Sequence, residues 1–237
     1  MPRVALGLAT TLVMTAGFAW SLAASRASTA PFPSPCLAAT IVHAVHEEGD
    51  DGVVTDSRRV ESFYRCDGRV WIERVLPERA PRTGTSPHTS REGPPLSRFA
   101  RFVERRDAGE SHASLVSRRD RLVVRLDDAA RERNGVDRSF DALAEIVPKA
   151  TLSSMAPAGL DPAGRDGTWF ERRDGGETVR AFHSQALGLA LEVVRTSDDG
   201  RHVERTTVED VELPPRSDAP WDGLGGYAIR DASDYGD

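Results

Sequence analysis

Histidines, cysteines and strand-borne aromatics are the side chains from which chemistry could be built in this 237-residue chain. His43 and His46 lie three residues apart in a strand-like run, where alternation turns them to opposite faces, so they do not chelate one metal together. His88 and His112 fall in or near a Pro/Gly-rich stretch and could meet in space, but two histidines fall short of the four ligands of a closed zinc shell. The acidic run Glu47-Glu48-Gly49-Asp50-Asp51 lacks the ordered alternation of an EF-hand loop and reads as a solvated turn. Ser184 follows His183 directly, and such neighbours point apart on a strand. No Gly-x-Ser-x-Gly, P-loop or His-Glu-x-x-His pattern is present. The residues nominate no catalytic set, no metal and no cofactor, and an unrecognised hydrolase stands only as an alternative.

The cysteines gain meaning from the start of the chain. Val4 to Ala24 is an uncharged apolar run between Arg3 and Arg26, followed by small residues at Ala23, Ala27 and Ala30 and then by Pro31-Phe32-Pro33-Ser34-Pro35. That pattern reads as an export signal over 1–30, with a Pro-rich linker over 31–35. The run approaches the ~20 residues that span a bilayer, so an uncleaved anchor is the other reading. Cys36 follows Ser34-Pro35, which is no lipidation signal. Outside the cytoplasm an isolated pair such as Cys36 and Cys66 is expected to be bridged. The formal charge of −6 becomes −8 once Arg3 and Arg26 leave with the signal. An acidic chain argues against nucleic acid and against anionic membrane surfaces. Membrane association is expected only if the N-terminal segment stays uncleaved; otherwise the protein is periplasmic or secreted.

The elements that would position these residues are mainly antiparallel strands, in one α+β domain over 36–213. Leu37 to His46 is one strand; Val53 to Cys66 and Arg69 to Leu76 flank Asp67-Gly68, a strong hairpin signal. A two-residue turn there pairs Tyr64 with Trp71 and Phe63 with Ile72, leaving apolar groups on both faces. Residues 78–95 form a long Pro/Gly/Ser loop. Leu96 to Val103 has near-helical apolar spacing, with a strand as the alternative. Ser111 to Ser117 and Arg121 to Leu126 form a hairpin, and Phe140, Leu143, Ala144 and Val147 mark a helix stopped by Pro148. Thr168 to Arg173, Thr178 to His183, Leu189 to Thr196 and His202 to Leu213 read as a four-strand meander. In its third strand, simple alternation puts Leu189, Leu191, Val193 and Arg195 on one face and Ala190, Glu192 and Val194 on the other. A Gly/aromatic tail over 214–237 carries Trp221 and Tyr227 and is expected to dock, since a free tail would expose apolar surface.

Phe182-His183-Ser184-Gln185-Ala186-Leu187-Gly188-Leu189-Ala190-Leu191-Glu192-Val193, followed by Asp198-Asp199-Gly200-Arg201, resembles the strand-turn-strand of the LolA-like and RseB-like periplasmic fold of lipoprotein carriers and envelope-stress regulators. Gly68-Arg69-Val70-Trp71-Ile72-Glu73-Arg74 is similar to that family's second strand region. The resemblance implies a strongly curved antiparallel sheet, a half-barrel, with a few helices closing its concave side around an apolar cavity. Tyr64, Trp71, Trp169 and Phe182 are the expected ligand-binding residues of such a cavity. The expected function is a non-catalytic envelope binding module for an apolar ligand, with a lipid, a lipidated protein or another envelope protein as partner. An accessory protein that recognises an envelope partner without any cavity is the competing reading.

Overall fold

Asp67 and Gly68 both have positive φ, 49° and 71°, the type I′ geometry whose twist matches that of two paired strands. The hairpin that they close joins β2 (Val54–Cys66) to β3 (Arg69–Arg74) and sets the pattern of the whole sheet. Tyr64 pairs with Trp71 and Phe63 with Ile72, the register that the turn dictates. Both faces are covered. Phe63, Val70 and Ile72 belong to one apolar cluster, and Tyr64, Cys66 and Trp71 to another. In this computed structural model the described residues are 35–76, 98–106, 110–133, 136, 139–161 and 163–235. The N-terminal segment 1–30, the loop 78–95 and His88 therefore lie outside them.

Beyond β3 the sheet continues antiparallel through β4 (Ala100–Arg105), β5 (Ser111–Ser117) and β6 (Leu122–Leu126). On the other side of β2 lies β1 (Leu37–Glu48). The chain then passes through three short helices, α1 (Asp128–Arg133), α2 (Phe140–Glu145) and α3 (Lys149–Leu152), and an exposed strand β7 (Ala156–Leu160). The meander β8 (Thr168–Asp174), β9 (Glu177–Ser184), β10 (Leu189–Ser197) and β11 (His202–Glu212) returns to pair β11 with β1. A last strand, β12 (Ala228–Asp231), adds in parallel to β6. Among the described residues the order β12-β6-β5-β4-β3-β2-β1-β11-β10-β9-β8-β7 makes one unclosed 12-stranded sheet, curved into an α+β half-barrel with the helices on its concave side.

Two local expectations are corrected. The stretch before Arg105 is a strand, not a helix, from Ala100 onward. Val103 packs into the concave cluster while Ala100 and Phe102 pack into the other; two-sided burial leaves apolar residues too close together for strand periodicity to stand out. In β10 the register slips between Ala190 and Glu192. That bulge adds one residue to the alternation, so Ala190 and Val193 share an apolar cluster with Leu152 and Met155.

Helix α2 is only six residues long, too short to persist alone. Its N-terminus is capped by Ser139, whose hydroxyl accepts from the Ala142 amide at 3.2 Å. Phe140, Leu143 and Ala144 pack onto the sheet. The C-terminal end is held from below. Arg65 donates to the Ala144 carbonyl at 2.6 Å, and also to the carbonyls of Leu187 at 2.6 Å and Gly188 at 3.2 Å. A buried guanidinium thus satisfies a carbonyl that a helix end would leave orphaned, and it ties α2 to the β9–β10 turn.

The convex side is closed by the C-terminal arm. Trp221 is 6% exposed. Its ring meets Tyr64 edge-on at 5.2 Å and stacks on Phe102 at 5.6 Å. Cys36 and Cys66 form the disulfide beside this cluster.

Candidate functional site

On the concave side, between α2 and the middle strands, lies a recess of about 450 Å³. Its aliphatic wall comes from Ile41 and Ile72 on the sheet, Leu143 on α2, Ile146 and Val147 just after it, and Val193 on β10. Ile146 has φ 63° and ψ −48°, a conformation that a β-branched residue rarely takes. It ends the helix and turns the chain along the rim of the recess.

The opposite wall is charged. Glu61, only 6% exposed, is its hub. Arg101 donates to Glu61 Oε1 at 2.9 Å, and the Arg59 guanidinium stands 3.5 Å from the same oxygen. Oε2 lies 3.2 Å from His43 Nε2. Burial alone would raise the Glu61 pKa, but the His43 hydrogen bond and the charges of Arg101 and Arg59 outweigh it and hold the carboxyl below its usual range. An ionised carboxylate only accepts, so His43 Nε2 carries the proton it shares with Glu61. The other ring nitrogen, Nδ1, is 3.0 Å from the Thr206 hydroxyl. Arg195 and Glu204 complete the polar rim, 3.8 Å apart.

Four strands bring the Glu61 network together, Arg101 reaching it from β4. His43 on β1 sits opposite Thr206 on β11, while Glu61 reaches it from β2. His46 faces away and pairs with Asp56 at 2.8 Å, as alternation requires. Among the described residues no group of three or more His, Cys, Asp or Glu is arranged to hold a metal. Glu61, Arg101 and Thr206 were not singled out by sequence. A charged residue mid-strand among apolar neighbours, as in Val60-Glu61-Ser62-Phe63, was the one available signal.

The four aromatics named from the sequence fall into two groups on the face opposite the recess. Tyr64 and Trp71 pack beneath the C-terminal arm, Tyr64 donating to the Pro215 carbonyl at 3.3 Å and Trp71 to Glu73 at 3.2 Å. Trp169 and Phe182 pair across β8 and β9 with ring centroids 5.4 Å apart. Arg165 lies over Phe182 at 4.3 Å and Arg180 over Trp169 at 4.8 Å. Alternation accounts for this: Phe182 is next to Ala181, which faces Val193 and so looks toward the recess side. Cys36 and Cys66 are brought together, as expected.

A second hollow of about 390 Å³ lies beyond Val147, lined by Lys149, Leu152, Phe170 and His183 among others. Burial holds the His183 imidazole below its ordinary pKa, with Glu145 opposing and Lys149 adding to the effect.

No family model and no curated protein matches this chain. Solved structures do. The chain is similar to MucB over 78% of its length at 14% identity and TM-score 0.40, and it spans only 56% of that chain. An uncharacterized conserved protein from Thermus thermophilus is similar over 84% of this chain and 91% of its own, with 10% identity and TM-score 0.41. A LolA superfamily protein from Nitrosomonas europaea is similar over 78% and 88%, with 10% identity and TM-score 0.33. The RseB-like and LolA-like likeness read from the sequence recurs among these structures as a likeness of fold. At these scores it carries no argument about ligand, partner or activity. Among the described residues no helix is long and apolar enough to cross a membrane.

Proposed function

We propose that this protein is an exported, non-catalytic binding module whose concave recess takes an amphiphilic ligand, an acyl chain or the lipid of a modified partner. One observation carries the reading. A recess of about 450 Å³ with an aliphatic wall and a charged wall occupies the place where a half-barrel would otherwise be filled by core side chains. Ligand sites range over roughly 300–1,000 Å³ and combine apolar surface with a few placed polar groups. A buried ion-pair cluster is no better for stability than apolar packing, so Glu61 with its three cationic or imidazole partners has a use other than holding the sheet together. The ligand wall is then Ile41, Ile72, Ile146 and Val193. Tyr64, Trp71, Trp169 and Phe182 back that wall from the other face of the sheet. Export rests on the Val4 to Ala24 run, and the Cys36–Cys66 bridge fits an oxidising compartment.

Native mass spectrometry of protein purified from its own envelope tests this directly. Co-purified lipid is expected, together with binding of an apolar fluorescent dye. Val193→Trp should fill the recess and abolish dye binding while far-UV circular dichroism stays unchanged. The carrier reading should be dropped if no lipid co-purifies and no dye binds.

A further inference from the structure

The second hollow, of about 390 Å³, differs from the recess in its charge. Of the described residues that line it, Lys149 alone is ionic; Leu152 and Phe170 supply apolar surface, and His183, Thr168 and Gln185 supply polar groups. No carboxylate lines it, whereas Glu61 and Glu204 both line the recess. Glu145, four residues before Lys149, is engaged with the backbone: its Oε2 accepts from the Lys149 amide at 2.9 Å. The Lys149 ammonium makes no ion pair among the described residues. Among the 31 Lys and Arg residues of the chain, Lys149 is the only lysine. Where every other side-chain cation is a guanidinium fork, this one is a compact point charge on a flexible stem.

His183 supplies a second, independent observation. Its Nε2 is buried and meets no hydrogen-bond partner among the described residues, a costly state for a polar atom. Burial chiefly, opposed by Glu145 and aided by Lys149, keeps the ring below its ordinary pKa, so at neutral pH it is uncharged and carries its proton on one nitrogen. The charge of Lys149 is felt at this ring, so a ligand in the hollow meets both groups. The hollow therefore presents one positive charge, one neutral hydrogen-bonding ring and an apolar floor. With the imidazole proton on Nε2, two donors and one unit of charge match the two oxygens of a carboxylate and fall short of a phosphate dianion.

We propose that this hollow is a separate binding site for a small monocarboxylate with a flat apolar body. The carboxylate pairs with the Lys149 ammonium and accepts from His183 Nε2, while the body lies on Leu152 and Phe170. The site stands apart from the amphiphile reading of the recess, and no bond forms or breaks in it.

The test uses the full chain and its single lysine. Acetylation of Lys149 by an amine-reactive ester is followed by peptide mass spectrometry, with the α-amino group as internal control, in the presence of phenylacetate, phenylacetamide or acetate. Phenylacetamide keeps the body and loses the charge; acetate keeps the charge and loses the body. Phenylacetate should slow Lys149 labelling saturably, and the other two should need ~10-fold higher concentrations for the same protection. His183→Phe keeps the bulk of the ring without its nitrogens and should raise the half-protecting concentration of phenylacetate ~5-fold, with far-UV circular dichroism unchanged. Protection by phenylacetamide equal to that by phenylacetate, or none by phenylacetate, would overturn the proposal in the unmodified protein. Displacement of the apolar dye from the recess at the half-protecting concentration would also overturn it, by putting the acid in the other site. An unchanged half-protecting concentration in His183→Phe would remove the imidazole from the site and with it the carboxylate match.

Discussion

Arg65 is a cation placed where almost any other side chain would pack more cheaply. Its residue exposure is 8%, and burial pulls its guanidinium below the usual range, with the charge of Glu145 offsetting part of the effect. It stays because its donors meet three carbonyls from two elements that are distant in sequence. Arg65→Met keeps length and apolar bulk but removes every donor, leaving the carbonyls of Ala144, Leu187 and Gly188 without this partner. A loss of about 2–4 kcal/mol in urea unfolding is expected, the size of one or two charge-assisted hydrogen bonds plus a desolvated carbonyl. An unchanged midpoint would mean that water replaces Arg65 at no cost. Asp161 offers a titration at the same scale. It accepts from Arg165 at 2.6 Å and from Trp169 at 3.3 Å. The Arg165 hydrogen bond chiefly, then that of Trp169, hold its carboxyl at about 2 instead of 3.8. A carboxyl with a lower pKa folded than unfolded contributes stability that is complete above the unfolded value and is lost as pH falls through the folded one. Stability should therefore drop between pH 3.8 and about 2, and less steeply in Asp161→Asn, read as urea midpoints across that window. Parallel profiles in the two proteins would refute the linkage.

Each element stands on contacts that its own sequence only half specifies, and Gly167 shows how narrow the tolerance is. It precedes β8 and lies flat on β9: a Cβ there would come 2.6 Å from the His183 carbonyl oxygen and 2.7 Å from the Phe182 ring. Phe182 is fully buried and the carbonyl belongs to a paired strand, so neither can give way. Gly167→Ala should cost about 1–3 kcal/mol, the usual penalty of overpacking, and a neutral result in thermal unfolding would show that the β7–β8 edge shifts freely. Where an element is set by neighbours in sequence, it was legible. Asp67-Gly68 fixed the β2–β3 register, and the Phe140, Leu143 and Ala144 stripe marked α2, which ends at Ile146 ahead of the expected stop at Pro148. The β10 bulge was not legible, because one extra residue shifts alternation without changing composition. The recess was less so. His43 and Glu61 are separated by 18 residues, but His43 and Thr206 by 163, and no turn sets the register of strands so far apart. Tyr64, Trp71, Trp169 and Phe182 are expected to line a cavity only because the resemblance implies one; which face of the sheet each takes depends on alternation counted across that same distant pairing.

At the scale of the molecule the decisive strand is β1, which joins the β2–β6 side of the sheet to the β11–β7 side. Pairing β1 with β11 closes most of the chain into one loop before any contact rewards it, the kind of non-local pairing that makes β folds slow. The Cys36–Cys66 bridge sits at this junction, linking the residue before β1 to the last residue of β2 across a separation of 30. It restricts the unfolded chain and so fixes the β1–β2 pair that β11 must find. In the chain-entropy account a loop of that size is worth about 3–4 kcal/mol. For a domain of this length that corresponds to a fall of roughly 6–16 °C in Tm. Cys36→Ser with Cys66→Ser should therefore melt in one transition at lower temperature, since both sides of the sheet share β1 and the concave cluster runs from β6 to Leu189 on β10. Calorimetry decides it: two separated transitions would mean that the two sides fold as independent units, and that the recess between them depends on the bridge.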